Sequence, residues 1–289
     1  MAGVPGPSGA EGLERPALPG EWVEGRGPVG GVELLRARFQ GRAFARHRHD
    51  TYGICVTEAG VQVFDYRGQV ERSLPGQVTV LHPDELHDGR AGAETAFGYR
   101  IVYVDPARIA AAVRTLRGRS GPLPFVREAV GAHPALASAV SFAFAAHPEP
   151  LALDALVLRL AEGLLEGSEG PHAAPGFNGG LDHPALERGR EFLDGAAAVV
   201  RSDELEGITG VTRYEFARQF RAAYGTSPYR YSVMRRLERA RAGLRDGAPL
   251  ADLALTAGFA DQAHFTRMFK SAYGMTPGRY ARLCAAGPG

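Results

Sequence analysis

From Val32 to about Asp105 apolar and polar positions change over in short runs, VELLRARF, TYGICVTEAG, VQVFDYRG, QVTVLHP and FGYRIVYVDP, divided at Gly60, Gly68, Pro75-Gly76 and Pro83-Asp84. Runs of this length between turn residues predict a compact antiparallel sandwich or barrel. From Pro106 to Gly167 the period becomes helical: Leu153, Leu156, Val157, Leu160 and Leu164 recur three or four apart. Such a stripe needs a covering surface. Either the strand domain supplies it, or the same helix of a second chain does, in which case the helices at 135–166 carry a homodimer contact. Residues 167–181, GSEGPHAAPGFNGGL, read as a Gly/Pro-rich linker, and a second helical block runs from Asp182 onward. Residues 1–31 hold nine Gly and five Pro without an apolar period and are expected to be a disordered leader.

The helical block contains an internal repeat. Shifted by 49 residues, VTRYEFARQFRAAYGTSPYRY (211–231) aligns with ADQAHFTRMFKSAYGMTPGRY (260–280), with Phe, Arg, Phe, Ala-Tyr-Gly, Pro and Arg-Tyr recurring in step. A repeat of this length marks one supersecondary unit built twice. Ser202 is a candidate cap for a first short helix, and Thr212-x-x-Glu215 is a capping box for the next. In the second copy Leu250 to Ala257 is the first helix, Ala257-Gly258-Phe259 the turn and Asp261 the cap. Gly225 and Gly274 sit where a helix ends in a left-handed residue, and Pro228 and Pro277 suit the first turn of the following helix. Each copy is a helix-turn-helix, at about 202–224 and 250–273.

The two second helices divide by face. At about 100° per residue, Phe216, Phe220, Ala223 and Tyr224 share one sector, as do Phe265, Phe269, Ala272 and Tyr273. The opposite face carries Tyr214, Arg218 and Arg221 in one copy and Ala263, Arg267 and Lys270 in the other. A cationic helix face suits the major groove, where Arg can bond guanine bidentately and a more C-terminal cation meets phosphate. Ser227 to Asp246 reads as one connecting helix, with Met234, Leu237, Ala240 and Leu244 on one side. It would hold the reading helices at a fixed separation, able to enter successive major grooves about 34 Å apart.

Charge sharpens this picture. The net charge of +1 hides a split: residues 209–289 carry 13 Lys+Arg against 5 Asp+Glu, and residues 1–208 carry 20 against 27. A basic C-terminal part attracts polyanions, nucleic acid being the commonest, with a solvated basic face as the alternative; the helix-turn-helix pair makes that nucleic acid double-stranded DNA. No run approaches the roughly 18 apolar residues of a membrane helix. The N-terminal MAGVPGPSGAEGLERP has neither a basic leader nor an apolar core, and Cys55 and Cys284 are too few for a disulfide framework, so a cytoplasmic location is expected.

The C-terminal ~100 residues, with ADLALTAGFADQAHFTRMFKSAYGMTPGRY as the most specific stretch, resemble the DNA-binding domain of the AraC/XylS regulators. That resemblance implies two helix-turn-helix units joined by a long helix. It points to Thr212, Arg213, Tyr214, Ala217 and Arg218 in the first reading helix and Gln262, Ala263, Thr266 and Arg267 in the second. Ala217 and Ala263 depart from the polar residues often found there. The segment from 32 to about 105 resembles the cupin-like effector domain of the same family, through Gly41, His47-Arg-His49, Gly60 and LPGQVTVLHPDELH (74–87). The implied fold is α+β with two domains, a cupin-like β-barrel followed by helices (32–166) and an all-α double helix-turn-helix (182–285). The implied function is a sequence-specific, ligand-responsive transcription regulator, an activator rather than a repressor, with RNA polymerase as a partner and no cofactor.

His47, His49 and His87 occupy places similar to the metal-ligand histidines of cupin enzymes, with His82 nearby. His47 and His49 alternate on a strand and therefore share a face. The acidic ligand expected soon after the second histidine is missing, since Tyr52, Gly53 and Ile54 stand there and Glu58 comes too late. The reading preferred here is an effector pocket lined by His47, His49 and His87, with Arg90 at its mouth; a metal held by the three histidines is the alternative. Two other functional classes compete with the regulator: a metal-dependent cupin enzyme with a DNA-binding tail, and a nonspecific architectural DNA binder.

Overall fold

The computed structural model describes residues 17–119, 121–145, 149–168, 180–196 and 199–287. The N-terminal half consists of β1 (Trp22–Val29), β2 (Val32–Phe39), β3 (Arg42–His47), β4 (Tyr52–Ala59), β5 (Gln62–Tyr66), β6 (Gln69–Ser73), β7 (Val78–Leu81), β8 (His87–Ala91), β9 (Phe97–Val104) and β10 (Val130–Gly131), with helices α1 (Pro106–Arg117), α2 (Pro134–Ala145) and α3 (Pro150–Glu166). The strands form two antiparallel sheets, β1-β2-β9-β4-β7-β10 and β3-β8-β5-β6. The expectation of a barrel is therefore corrected to an open sandwich. Pro83 and Asp84, the latter at φ +63°, break the chain after β7 and send β8 into the other sheet, so the sheets face each other without closing. β4 lies between β9 and β7, and its residues Tyr52 to Thr57 are all buried. β6 is an edge, with Gln69, Val70 and Arg72 exposed.

The leader expected over 1–31 is corrected from Ala17 onward. Trp22–Val29 is a strand whose ladder runs along β2 from Trp22↔Arg38 to Val29↔Val32. Its glycines hid the strand pattern, and its pairing is supplied by β2 rather than by its own apolar residues. Residues 1–16 lie outside the described residues, as does most of the 167–181 linker.

The α3 stripe is covered by its own chain. Leu153, Leu156, Val157, Leu160 and Leu164 share one core with Leu136, Ala139 and Val140 of α2, Ile109 and Val113 of α1 and Ile54, Val80 and Val102 of the six-stranded sheet. The stripe is therefore covered within the chain itself.

The C-terminal half is all helical: α4 (His183–Gly195), α5 (Ser202–Thr209), α6 (Arg213–Tyr224), α7 (Pro228–Arg245), α8 (Leu250–Thr256), α9 (Gln262–Tyr273) and α10 (Pro277–Ala286). Ser202 is the first residue of α5 and not its cap, which is Arg201. Phe216, Phe220 and Tyr224 pack with Leu186, Leu193 and Tyr231 in one core. Phe265 and Phe269 belong to a different and larger one, shared with Phe39, Phe44 and Phe97 of the sandwich and with Leu237 and Leu244 of α7. The second helix-turn-helix thus has no core separate from the strand domain.

Ion pairs reinforce this union. Arg241 and Arg245 of α7 reach Glu33 of β2, the latter at 3.1 Å. Arg235 meets Asp50 at 2.9 Å, Arg230 meets Asp84 at 2.9 Å, and Arg279 of α10 meets Glu21 at 3.6 Å.

Candidate DNA-reading helices and ligand cavity

Both reading helices begin and end by the same local devices. Thr212 caps α6 by accepting from the Glu215 amide, and Asp261 caps α9 by accepting from the His264 amide at 2.6 Å. Gly225 (φ +72°) and Gly274 (φ +68°) terminate them in the left-handed conformation. With the phenylalanines turned inward, the opposite faces are outward. Thr212, Arg213, Tyr214, Arg218 and Arg221 are exposed on α6, with Ala217 half-buried; Gln262, Ala263 and Arg267 are exposed on α9, with Thr266 and Lys270 half-buried.

The two faces differ electrostatically. On α6, Arg218 is held by Glu215 at 2.8 Å, and Arg213 by Glu206 at 2.9 Å. Arg218 and Gln219 together hold the Glu215 carboxyl below its ordinary range. Arg267 and Lys270 on α9 have no carboxylate partner among the described residues.

A cavity of about 90 Å³ lies at the seam of the two halves. The sandwich contributes His47, His49 and His87, and the helical half contributes Arg235 and Arg241 from α7 and Tyr273 from the end of α9. The three imidazole rings cluster, with centroids 4.3 Å (His47–His87), 4.9 Å (His49–His87) and 6.2 Å (His47–His49) apart. Each Nδ1 lies about 3 Å from a carbonyl oxygen, of Ala45, Thr51 and Glu85 respectively, and an oxygen of that kind only accepts. The proton therefore resides on Nδ1, leaving Nε2 as an acceptor in all three. Burial lowers the pKa of each, that of His87 to about 4, so the cluster is neutral.

One expected site residue, Arg90, is not brought to this cavity, nor is the nearby His82. Arg90 lies outside its lining and pairs with Asp88 at 3.3 Å and Asp65 at 3.5 Å, because its strand turns it toward those neighbours. His82 belongs to a separate network with Tyr66, Arg67 and the Val126 amide, and burial lowers it to about 3. Among the described residues no group of three or more His, Cys, Asp or Glu side chains is arranged to hold a metal ion. The sequence reading missed the helical side of the cavity altogether. A signal for it exists: Arg241 falls on the stripe of Leu237 and Leu244, and an arginine in an apolar stripe calls for a buried carboxylate elsewhere.

Comparison with known proteins agrees with both halves. Residues 29–161 match the family described as AraC-like ligand binding domain, and residues 206–283 match the family described as helix-turn-helix domain. An uncharacterized HTH-type transcriptional regulator of Bacillus subtilis (strain 168), YbfI, is 29% identical over 235 residues, covering 78% of this chain and 84% of its own. Among solved structures, ToxT from Vibrio cholerae O395 superposes with a TM-score of 0.61 at 11% identity, covering 88% of this chain and 98% of that one. The unsaturated fatty acid bound wild-type ToxT from V. cholerae strain SCE256 gives 0.62 at 11% identity, covering 91% and 99%. At that identity the likeness is one of fold. With a ligand-binding half of this type fused to two outward-facing reading helices, the chain is an AraC-type transcriptional regulator.

Proposed function

We propose that the chain binds DNA through Thr212, Arg213, Tyr214, Ala217, Arg218 and Arg221 on α6 and Gln262, Ala263, Thr266, Arg267 and Lys270 on α9, and that it senses a small molecule through His47, His49 and His87. The observation that carries this reading is the shared wall between the two functions. Gly274, the residue that ends α9, accepts the Ala45 amide of β3 at 2.8 Å, two residues from His47. A ligand that alters the packing around His47 alters the seat of the second reading helix, and it shifts the equilibrium by as much as it prefers one arrangement. Activation rather than repression, contact with RNA polymerase and a cytoplasmic site of action follow from the family resemblance.

The test is selection of duplexes from a random-sequence pool, repeated with Arg267→Ala. Specific reading predicts an enriched sequence that the wild-type protein prefers over competitor DNA. Arg267→Ala should weaken that site by about 1–3 kcal/mol and relax discrimination at one position. A protein with no enriched sequence and a steep salt dependence would be an architectural binder instead.

A further inference from the structure

The chemistry of the seam cavity suggests what it takes. Its lining holds five carboxylates, Glu33, Asp50, Asp88, Asp105 and Glu238, against two guanidiniums, Arg235 and Arg241. Arg245 and Arg90 reach Glu33 and Asp88 from outside the lining, but Glu33 already holds Arg241 and Arg90 is shared with Asp65, so carboxylates remain in excess. Asp50 and Glu238 share the single guanidinium of Arg235 at 2.9 and 3.0 Å. Burial raises both Glu238 and Asp105 above the ordinary carboxylate range, so the chain's own cations compensate these charges only in part.

Acceptors without partners point the same way. Asp50 is 2% exposed and His49 5%, yet Asp50 Oδ1 and His49 Nε2 are buried atoms with no hydrogen-bond partner in the chain. One is a carboxylate oxygen and the other, by the Nδ1 assignment above, an imidazole lone pair; both residues line the cavity and both atoms require a donor. Buried acceptors of this kind are rarely left unmatched. Beside them the wall is aromatic, with the Tyr103 ring 5.0 Å from His49. Aromatic faces attract cations.

We infer that the cavity binds a small primary ammonium compound, its nitrogen donating to Asp50 Oδ1 and His49 Nε2 and its short apolar body lying against Tyr103. This deepens the ligand-sensing reading and rests on it. The volume of about 90 Å³ suits a small occupant. Buried atoms able to donate also line the cavity without a partner, Arg235 Nε, Thr79 Oγ1 and the Tyr273 hydroxyl, so an anionic head group is the comparison that decides.

The experiment is calorimetric titration of the full chain with n-butylamine, n-butanol and butyrate, which share one alkyl body and differ in head group. Butylamine should bind roughly tenfold more tightly than butanol, and butyrate should give no heat. Asp50→Asn should remove the preference for the amine, and Glu238→Gln should reduce it; if Asp50→Asn does not fold, Glu238→Gln decides. Equal binding of all three, tighter binding of butyrate, no binding of any, or an amine preference unchanged in the folded variants overturns the inference, as does a stoichiometric metal ion found in the purified protein. DNA selection on the same samples reports the regulator reading separately. A sequence-preferring protein without amine selectivity loses only the ligand class, whereas amine selectivity without sequence preference upholds the ligand class and removes the regulator reading.

Discussion

Arg241 of α7 and Glu33 of β2, separated by 208 residues in sequence, form an ion pair in which both side chains are almost entirely buried. The Arg241 guanidinium also lies over the Tyr273 ring, 4.7 Å from its centroid, at the end of the second reading helix. One residue thereby links the sandwich, the connecting helix and α9.

Removing one partner of such a pair leaves the other charged and buried. Glu33→Ala should therefore destabilise the chain by about 3–5 kcal/mol, whereas Glu33→Leu combined with Arg241→Met should cost less, because only the partly exposed Arg245, which keeps its bond to the Tyr280 hydroxyl, then loses a carboxylate. Urea unfolding of the single and double variants measures the difference. A single variant no less stable than the double would mean that the pair does not fasten the two halves.

On α6 the carboxylates of Glu206 and Glu215 hold Arg213 and Arg218, two of the residues proposed to contact DNA, and would compete with phosphate for them. Glu215→Gln takes away the carboxylate that holds Arg218, and with it a negative charge from the face proposed to meet the duplex. Binding to a nonspecific duplex should tighten, and the slope of log affinity against log salt should steepen by about one phosphate contact. Anisotropy titrations across a salt series read both. The same substitution should barely alter stability, since the pair is exposed.

Local chemistry made most of the elements legible in the sequence. Thr212, Asp261, Gly225 and Gly274 mark helix ends by hydrogen bonding and backbone preference that act within a few residues, and the 3.6-residue period of Phe216 and Phe220 fixes their inward face. What the sequence hid is long-range. β1 is held by the ladder with β2, which no local pattern encodes, and the barrel gave way to a sandwich because of where the chain turns at Asp84. The histidine cluster was legible as a group, but Tyr103 joined it through the pairing of β9 with β4, and Arg241 and Tyr273 only through docking of the helical half. The buried face of α7 carries the one clue, an arginine where the stripe calls for leucine.

Gly274 is required by space as well as by its positive φ. A Cβ there would lie 2.6 Å from the Ala45 carbonyl oxygen and 2.8 Å from His47 Nδ1, both anchored in β3. Gly118, which ends α1 at φ +64°, has nothing within 4 Å of the same position. Gly118→Ala should cost about 1 kcal/mol, the ordinary left-handed penalty. Gly274→Ala should cost at least about 2 kcal/mol more, through displacement of α9 from the sandwich. Melting of the two variants gives the comparison, and equal losses would show that the contact at Ala45 yields without cost.

Acid should loosen the seam. His47, His49 and His87 are buried and neutral, with folded-state pKa values below the ordinary 6.5, and His82 is likewise lowered. Between 6.5 and the folded value, the unfolded chain binds protons that the folded chain does not. The stability these residues contribute is thus complete above about pH 6.5 and declines as pH falls toward about 4, the folded value of His87. Each histidine titrating only in the unfolded state removes about 1.4 kcal/mol per pH unit. Urea unfolding at pH 7.0 and at successive steps toward about pH 5 should give a falling free energy whose slope flattens in His87→Gln. Glu238, raised by burial to about 7, takes up a proton in the folded chain over the same interval and opposes this trend, so Glu238→Gln should steepen the fall; a stability constant with pH in that variant would mean that the histidines bind protons as readily in the folded chain as in the unfolded one.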